Sequence, residues 1–283
     1  MGTSAASSGP KNDSPLIPTW CGELPGIDGL DPIDVPEGGS DEPNGEGKAE
    51  LPPISLPPDA KRFRAPRASL TSFSRTGNSN TLNRALSEYV GSASGGARTA
   101  AHRMAGPQRT ASKILSFAQA VASVGTPEAL KQFGLKDCQG KSVDEILPLL
   151  IDALCLDPGG SIDEGIARDA LADAIADLSE QGLDMADEFS EEQLRELFIG
   201  FVSNSIKDRV INDVGVNCLA VPDDTLAVQG IEATLSAVIS GCVRDAVGGP
   251  LSDFGSIGSQ QLTKITHEIY EAAYNLLGQL TTE

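Results

Sequence analysis

SEEQLRELFIGFVSNSIKDRVINDV, residues 190–214, contains the apolar pattern that decides the fold. Large apolar side chains recur at every fourth position, which places them on one face of an α-helix. These residues are Leu194, Phe198, Val202, Ile206, Val210 and Val214. Ser190 stands just before the pattern and is a typical N-cap residue. The stretch therefore predicts a long helix that begins after Ser190.

Comparable patterns predict helices on both sides of this stretch. Ser142 with Glu145, and Ser161 with Glu164, have the spacing of a capping box before apolar helical segments. Residues 223–247 are apolar on more than one face, which predicts a central helix, and no run alternates with the period of a strand. The other predicted helices cover 80–90, 97–104, 108–124, 126–134 and the last apolar stretch from Leu262 to Leu280. We expect an all-α helical bundle, with helical structure beginning near Thr71.

Composition divides the 283 residues into three regions. Residues 1–67 form an acidic tail rich in proline and glycine, which we expect to be disordered because too few apolar groups offset the entropy of ordering. Residues 68–125 form a basic helical segment rich in Gly, Ser and Arg. Residues 126–283 form an acidic, all-helical body.

Charge is distributed unevenly along this chain, whose net charge is −19. Residues 61–113 contain ten Lys and Arg but only one acidic residue, Glu88, which gives about +9. The acidic charge elsewhere disfavours general nucleic-acid binding, because it repels phosphates. Two interpretations of the basic segment stay open: it contacts the acidic body or a partner protein, or it binds nucleic acid.

The sequence contains no recognisable catalytic or cofactor-binding motif. His102 and His267 have no metal ligand or catalytic partner at a defined local spacing, so we predict no catalytic residue, no metal site and no cofactor of the chain's own. The five scattered cysteines are typical of reduced thiols, and we expect a cytoplasmic protein without a membrane span. An enzyme whose polar pocket forms only in the fold is a further open alternative.

The N-terminal stretch MGTSAASSGP offers one reactive group. A Met before a small residue is normally removed, which leaves the free α-amine of Gly2. Ala6 stands where an N-myristoylation motif has Ser or Thr, so a lipid anchor is disfavoured. The nearby apolar patch PLIPTW is a candidate anchor for a partner's pocket. Its candidate contact residues are Pro15, Leu16, Ile17, Pro18 and Trp20.

Five features in order resemble the QatB family of bacterial Qat anti-phage defence systems. They are MGTS at the start, the proline-flanked patch ending at Trp20, RFR at residues 62–64, ALSEYV at 85–90 and GGARTAAHRM at 95–104. The resemblance covers roughly the first 110 residues. It implies three partners: an ATPase (QatA), a QueC-like enzyme (QatC) and a TatD-like nuclease (QatD).

The resemblance also implies a role for the tail as a protein substrate. The QueC-like partner would conjugate a 7-deazaguanine to Gly2, which would then carry a covalent 7-amido-7-deazaguanine. Thr3 and Ser4 would bind the partner beside the modified residue, and Arg62, Phe63 and Arg64 would contact it further along the chain. We therefore expect a non-enzymatic subunit of a defence complex; the alternative is a nucleic-acid-binding adaptor that uses residues 61–113.

Overall fold

A computed structural model describes residues 61–135, 141–155, 161–180, 189–215, 225–248 and 259–280. These parts of the chain are largely helical and contain no β-strand, which confirms the all-α prediction. The predicted tail, up to residue 60, lies outside the described residues. None of the helices in the described ranges is long and apolar enough to cross a membrane.

Ten α-helices make up the described part of the chain. They are α1 (Arg64–Thr76), α2 (Ser79–Glu88), α3 (Ala97–His102), α4 (Ala105–Val124), α5 (Thr126–Gln132), α6 (Val143–Leu154), α7 (Ile162–Glu180), α8 (Glu191–Val214), α9 (Thr225–Val247) and α10 (Ser259–Gly278). A π-helical turn, Tyr89–Ala93, extends α2 and ends before Gly95 and Gly96. Both glycines have positive φ, which lets the chain turn into α3.

Helix α8 is the centre of the bundle. It packs against α7, α9 and α4, and its residues from Leu197 to Lys207 are buried except for Gly200, which is half-buried. The sequence predicted one buried face for α8 and assigned the central position to residues 223–247. That assignment was wrong: α9 exposes Glu232, Ala237 and Arg244 and therefore lies at the edge of the bundle.

The predicted helix starts at Ser142, Ser161 and Ser190 are confirmed. The Ser190 hydroxyl accepts a hydrogen bond from the backbone N–H of Gln193, whose side chain accepts one from the Ser190 N–H. Ser142 and Glu145 make the same reciprocal pair, as do Ser161 and Glu164. Each pair provides acceptors for two backbone N–H groups at the start of the helix, which would otherwise have no partner.

Some helix boundaries differ from the prediction. Helix α1 begins at Arg64, ahead of Thr71, so the end of the predicted tail forms part of the first helix. Helix α4 begins at Ala105 and includes Gly106 and Pro107, which the sequence predicted to separate two helices. A proline in the first turn is tolerated because the N–H that it lacks would have no partner within the helix.

Candidate functional site

The chain enters the helical body at Arg62 and Phe63, immediately before α1. The Phe63 ring stacks on that of Tyr89, with 6.0 Å between the centroids and 25° between the planes. The guanidinium carbon of Arg62 lies 4.7 Å from the centroid of the Phe63 ring. Ring stacking and a cation over an aromatic face each contribute about 0.5–1 kcal/mol. These contacts hold the start of the described chain against the bundle.

Beneath these rings, three segments of the chain meet at one carboxylate oxygen. The Tyr89 hydroxyl donates a hydrogen bond to Oδ2 of Asp213 at 2.9 Å. Nη2 of Arg103 donates to the same oxygen at 3.0 Å. Tyr89 follows α2, Arg103 follows α3, and Asp213 lies in the last turn of α8. Asp213 therefore joins the basic segment to the acidic body.

A second ion pair continues this network into the core. Arg209, one helical turn before Asp213, donates from Nη1 to Oδ1 of Asp163 at 2.5 Å. Both side chains are almost completely buried, at 2% and 0% exposure. Nη2 of Arg209 also donates to the backbone oxygen of Arg103 at 3.4 Å. We call Arg103, Asp163, Arg209 and Asp213 the ionic cluster; its two positive and two negative charges balance.

Gly106 explains how Asp163 fits into this cluster. Asp163 lies in the first turn of α7, where the helix dipole favours a carboxylate. Helix α4 passes so close that a Cβ added to Gly106 would lie 2.9 Å from the Cβ of Asp163. Real Cβ atoms do not approach this closely without displacing a neighbour, so this contact between α4 and α7 requires glycine.

The surroundings of Arg209 and Tyr89 fix the protonation states of these two side chains. Burial lowers the pKa of Arg209, but Asp213 and Asp163 outweigh it and raise that pKa above its ordinary value. Burial, with the nearby Tyr274 and Asp213, raises the pKa of the Tyr89 hydroxyl well above its ordinary value. At neutral pH Arg209 is charged and Tyr89 is neutral. The arrangement is suited to holding chain segments together, not to exchanging protons with a substrate.

The structure brings together some of the predicted site residues. Phe63 lies against Tyr89, and Arg62 lies over the Phe63 ring. Arg64 is exposed, and its side chain makes no ion pair with the described residues. Gly2, Thr3 and Ser4 lie outside the described residues, as does the patch Pro15, Leu16, Ile17, Pro18 and Trp20.

The interpretation that the basic segment contacts the acidic body is confirmed for Arg103, through its ion pair with Asp213. Arg67 adds a weaker contact, since its Nη2 donates to the backbone oxygen of Asp213 at 3.4 Å. By contrast, other arginines of the segment are exposed and form no ion pair within the described ranges. They are Arg64, Arg75, Arg98 and Arg109.

Sequence reasoning missed Asp163, Arg209 and Asp213. One signal was present: Arg209 and Asp213 are four residues apart on α8, which is the spacing of an ion pair on one helical face. Asp163 gave no such signal, because an acidic residue in the first turn of a helix is ordinarily exposed. Only the fold shows that α4 covers it.

The two histidines of the sequence, His102 and His267, lie in different surroundings. His102 is exposed at the end of α3. Nδ1 of His267 lies 3.2 Å from Oε1 of Gln108, and its Nε2 lies 3.8 Å from a carboxylate oxygen of Glu271. Within the described ranges, no group of three or more His, Cys, Asp or Glu residues could hold a metal ion.

A known protein family matches most of the chain. The model of a family described as Qat anti-phage system associated protein QatB matches residues 95–277. The match begins at the glycines before α3 and extends into α10, so it includes the whole ionic cluster. No curated protein and no solved structure matches the chain.

Proposed function

This chain belongs to the QatB family and is thus a component of the Qat anti-phage system, and on that premise we propose that its N-terminal Gly2 is the site at which a QueC-like partner attaches a 7-deazaguanine. In this proposal the chain is a protein substrate and carries out no catalytic step. The observation that most supports it is the attachment of residues 62–63 to Tyr89, which hydrogen-bonds to Asp213 of the ionic cluster. This attachment gives the segment that bears Gly2 a fixed origin on the helical body.

The proposed reaction forms one amide bond. After Met1 is removed, the neutral α-amine of Gly2 attacks the carboxylate carbon of 7-carboxy-7-deazaguanine, which the partner has activated with ATP. The activating nucleotide leaves with one carboxylate oxygen, and the attacking nitrogen loses its proton. An α-amine has a pKa of about 7.7–8.0, so a useful fraction is neutral near pH 7.5, whereas a lysine side chain titrates near 10.4.

Glycine at position 2 suits this reaction. It has no Cβ, so its amine can enter a narrow site that would exclude a larger residue. Thr3 and Ser4 would provide hydrogen bonds beside the reacting nitrogen. Pro15, Leu16, Ile17, Pro18 and Trp20 would contact the partner outside its active site, where a buried Trp is a frequent anchor.

The body would act by tethering. Residues 2–60 span at most about 200 Å when fully extended, which sets the greatest distance between Gly2 and Lys61. A partner bound to the helical body would therefore meet Gly2 at a raised effective concentration. QatC is the proposed modifying enzyme, and QatA and QatD are the proposed further members of the complex.

Co-expression tests this proposal. The full chain is produced with and without the QueC-like partner, and its intact mass is measured. We expect an added deazaguanine amide only when the partner is present, and none on Gly2→Val. Ala6→Val, which introduces the same side chain at a position with no assigned contact, is the matched control and keeps the modification. An unmodified wild-type chain beside an active partner contradicts the proposal.

Nucleic-acid binding is a second candidate, and the exposure of Arg64, Arg75, Arg98 and Arg109 favours it. Arginines without an ion-pair partner are available to contact phosphates. Binding of DNA or RNA should weaken steeply with salt and should weaken further in a chain with Arg98→Ala and Arg109→Ala. Arg103 is unsuitable for this test, because its replacement would disrupt the ionic cluster.

A further inference from the structure

A polar groove lies between α7, α8 and α9, on a different part of the bundle from the residues that hold the N-terminal segment. Its volume is about 260 Å³ and it is open to solvent on one side. The polar side chains that line it are Asp177, Ser203, Asn204, Lys207, Ser236 and Ser240. None of the lining residues in the described ranges is aromatic.

Small residues create this groove. Gly200 brings α8 close to α7, because a Cβ at this position would lie 3.3 Å from the Cβ of Ala174. On α9, Ser236, Ala237 and Ser240 lie on one helical face and are too short to fill the space opposite Asn204 and Lys207. Apolar packing holds these helices together elsewhere, so the groove is a local exception within the core.

Several polar groups in the groove lack partners. Asn204 is only 9% exposed, yet its side-chain amide makes no hydrogen bond with the described residues. The hydroxyls of Ser236 and Ser240 also make none with them. Ser203 donates its proton to the backbone oxygen of Ile199 at 2.7 Å, so its oxygen can only accept from a ligand. These groups are therefore available to hydrogen-bond a ligand that enters the groove.

Among the described residues in and beside the groove, carboxylates outnumber ammonium groups. Within the described part of the chain, the cation that lines it is Lys207, which is 8% exposed. Its Nζ lies 3.6 Å from a carboxylate oxygen of Asp173 and 4.0 Å from one of Asp208. Asp177 adds a further carboxylate at the groove wall. Burial, followed by the charges of Asp173 and Glu180, outweighs the effect of Lys207 and raises the pKa of Asp177.

We propose that this groove binds a small organic cation that carries an ammonium or guanidinium group. The carboxylate of Asp177, the amide oxygen of Asn204 and the hydroxyl oxygen of Ser203 accept hydrogen bonds from the cation. Ser236 and Ser240 contact its remaining polar atoms. Anions are repelled by the surrounding carboxylates, and planar aromatic ligands find no ring on which to stack. This binding goes beyond the proposed modification of Gly2 and does not depend on it.

Calorimetric titration of the full chain tests the proposal, with agmatine as the probe because it carries both a guanidinium and an ammonium group. We expect saturable binding by the wild type and a loss of affinity of about tenfold or more in Asp177→Asn and in Asn204→Leu. Glu268→Gln, which removes an exposed carboxylate paired with Lys264 on α10, is the matched control and keeps wild-type affinity. Glutarate, a dianion of similar size, should not bind.

Two results overturn the proposal. One is the absence of saturable agmatine binding to a wild-type chain whose helical circular dichroism is intact. The other is an equal loss of affinity in Asp177→Asn and Glu268→Gln, which would indicate attraction to the overall negative charge. Thermal unfolding of each variant without agmatine shows whether the variant folds. If a variant does not fold, Ser240→Leu provides a second test, because its larger side chain fills the groove.

Discussion

The Tyr89 hydroxyl and Oδ2 of Asp213 are 2.9 Å apart, although 124 positions separate the two residues in the sequence. This hydrogen bond joins the segment that follows α2 to the end of α8. Through the stacking of Phe63 on Tyr89, it also connects the first described residues to the core.

Replacing Asp213 should destabilise the body strongly. Asp213→Ala removes the shared acceptor of Tyr89 and Arg103 and leaves Arg103 and Arg209 with less compensating charge in the core. Removing one partner of a buried ion pair costs about 3–5 kcal/mol. Urea unfolding followed by helical circular dichroism measures the loss. Lys131→Ala, which breaks the exposed pair with Glu128, is the control and should cost less than about 1 kcal/mol. Similar losses in the two variants would contradict the account of the ionic cluster.

Phe63→Ala should release the start of α1 without unfolding the bundle. The substitution removes both the stacking on Tyr89 and the surface over which Arg62 lies, with a loss of about 1–2 kcal/mol. We expect trypsin to cleave after Lys61, Arg62 and Arg64 several times faster than in the wild type. Ser72→Ala, at an exposed position of α1, should be cleaved at the wild-type rate. An unchanged rate for Phe63→Ala would show that the ring does not hold this segment.

Gly106 and Gly165 should respond in opposite directions to alanine. Gly106→Ala places a Cβ 2.9 Å from the Cβ of Asp163, so α4 must move away from α7, at a cost of about 1–3 kcal/mol. A Cβ at Gly165, inside α7, meets no atom within 4 Å. Gly165→Ala should therefore stabilise the helix by about 0.5–1 kcal/mol. Thermal unfolding compares the two variants, and a stabilising Gly106→Ala would contradict the close contact.

Asp208 should make the folded state less stable as the pH rises. Burial, together with Asp173, Asp169 and Glu232, outweighs the effect of Lys207 and raises the pKa of this carboxyl from 3.8 to about 6. The folded state therefore binds more protons than the unfolded state between these pH values, so this contribution to stability is lost as the pH rises from about 4 to about 6. Allowing for solvent screening of a side chain that is 23% exposed, the effect is about 1 kcal/mol.

Asp208→Asn tests this contribution. Relative to the wild type, the variant should gain stability as the pH rises through this window and should show a flatter stability profile. Urea unfolding at a series of pH values from about 4 to about 8 measures the difference. A difference between the two proteins that does not vary with pH would show that Asp208 titrates normally in the folded chain.

The helices were largely predictable because their information is local. The apolar repeat of residues 190–214 and the Ser–Glu or Ser–Gln spacing at the helix starts each depend on residues a few positions apart. Where α1 begins and which helix is central depend on distant contacts. Phe63 is ordered by Tyr89, and α8 is buried on nearly all sides because α4, α7 and α9 surround it.

The candidate site could be predicted only in part for the same reason. The resemblance identified Arg62 and Phe63, and the charge pattern indicated contact between the basic segment and the acidic body. The acceptors of that contact come from α7 and α8, and no spacing in the sequence relates Asp163 or Asp213 to Arg103. The groove beside Asn204 depends on three helices and gave no sequence signal. Gly2 and the patch ending at Trp20 stay predictions.

The most direct test of the central claim is the mass of the N-terminal peptide, isolated from cells that carry the neighbouring Qat genes. We predict a peptide that begins at Gly2, lacks Met1 and carries a 7-deazaguanine joined to its α-amine through an amide. Deletion of the gene for the QueC-like partner should return the peptide to its unmodified mass. A free α-amine on Gly2 in the presence of all the active partners would contradict the claim.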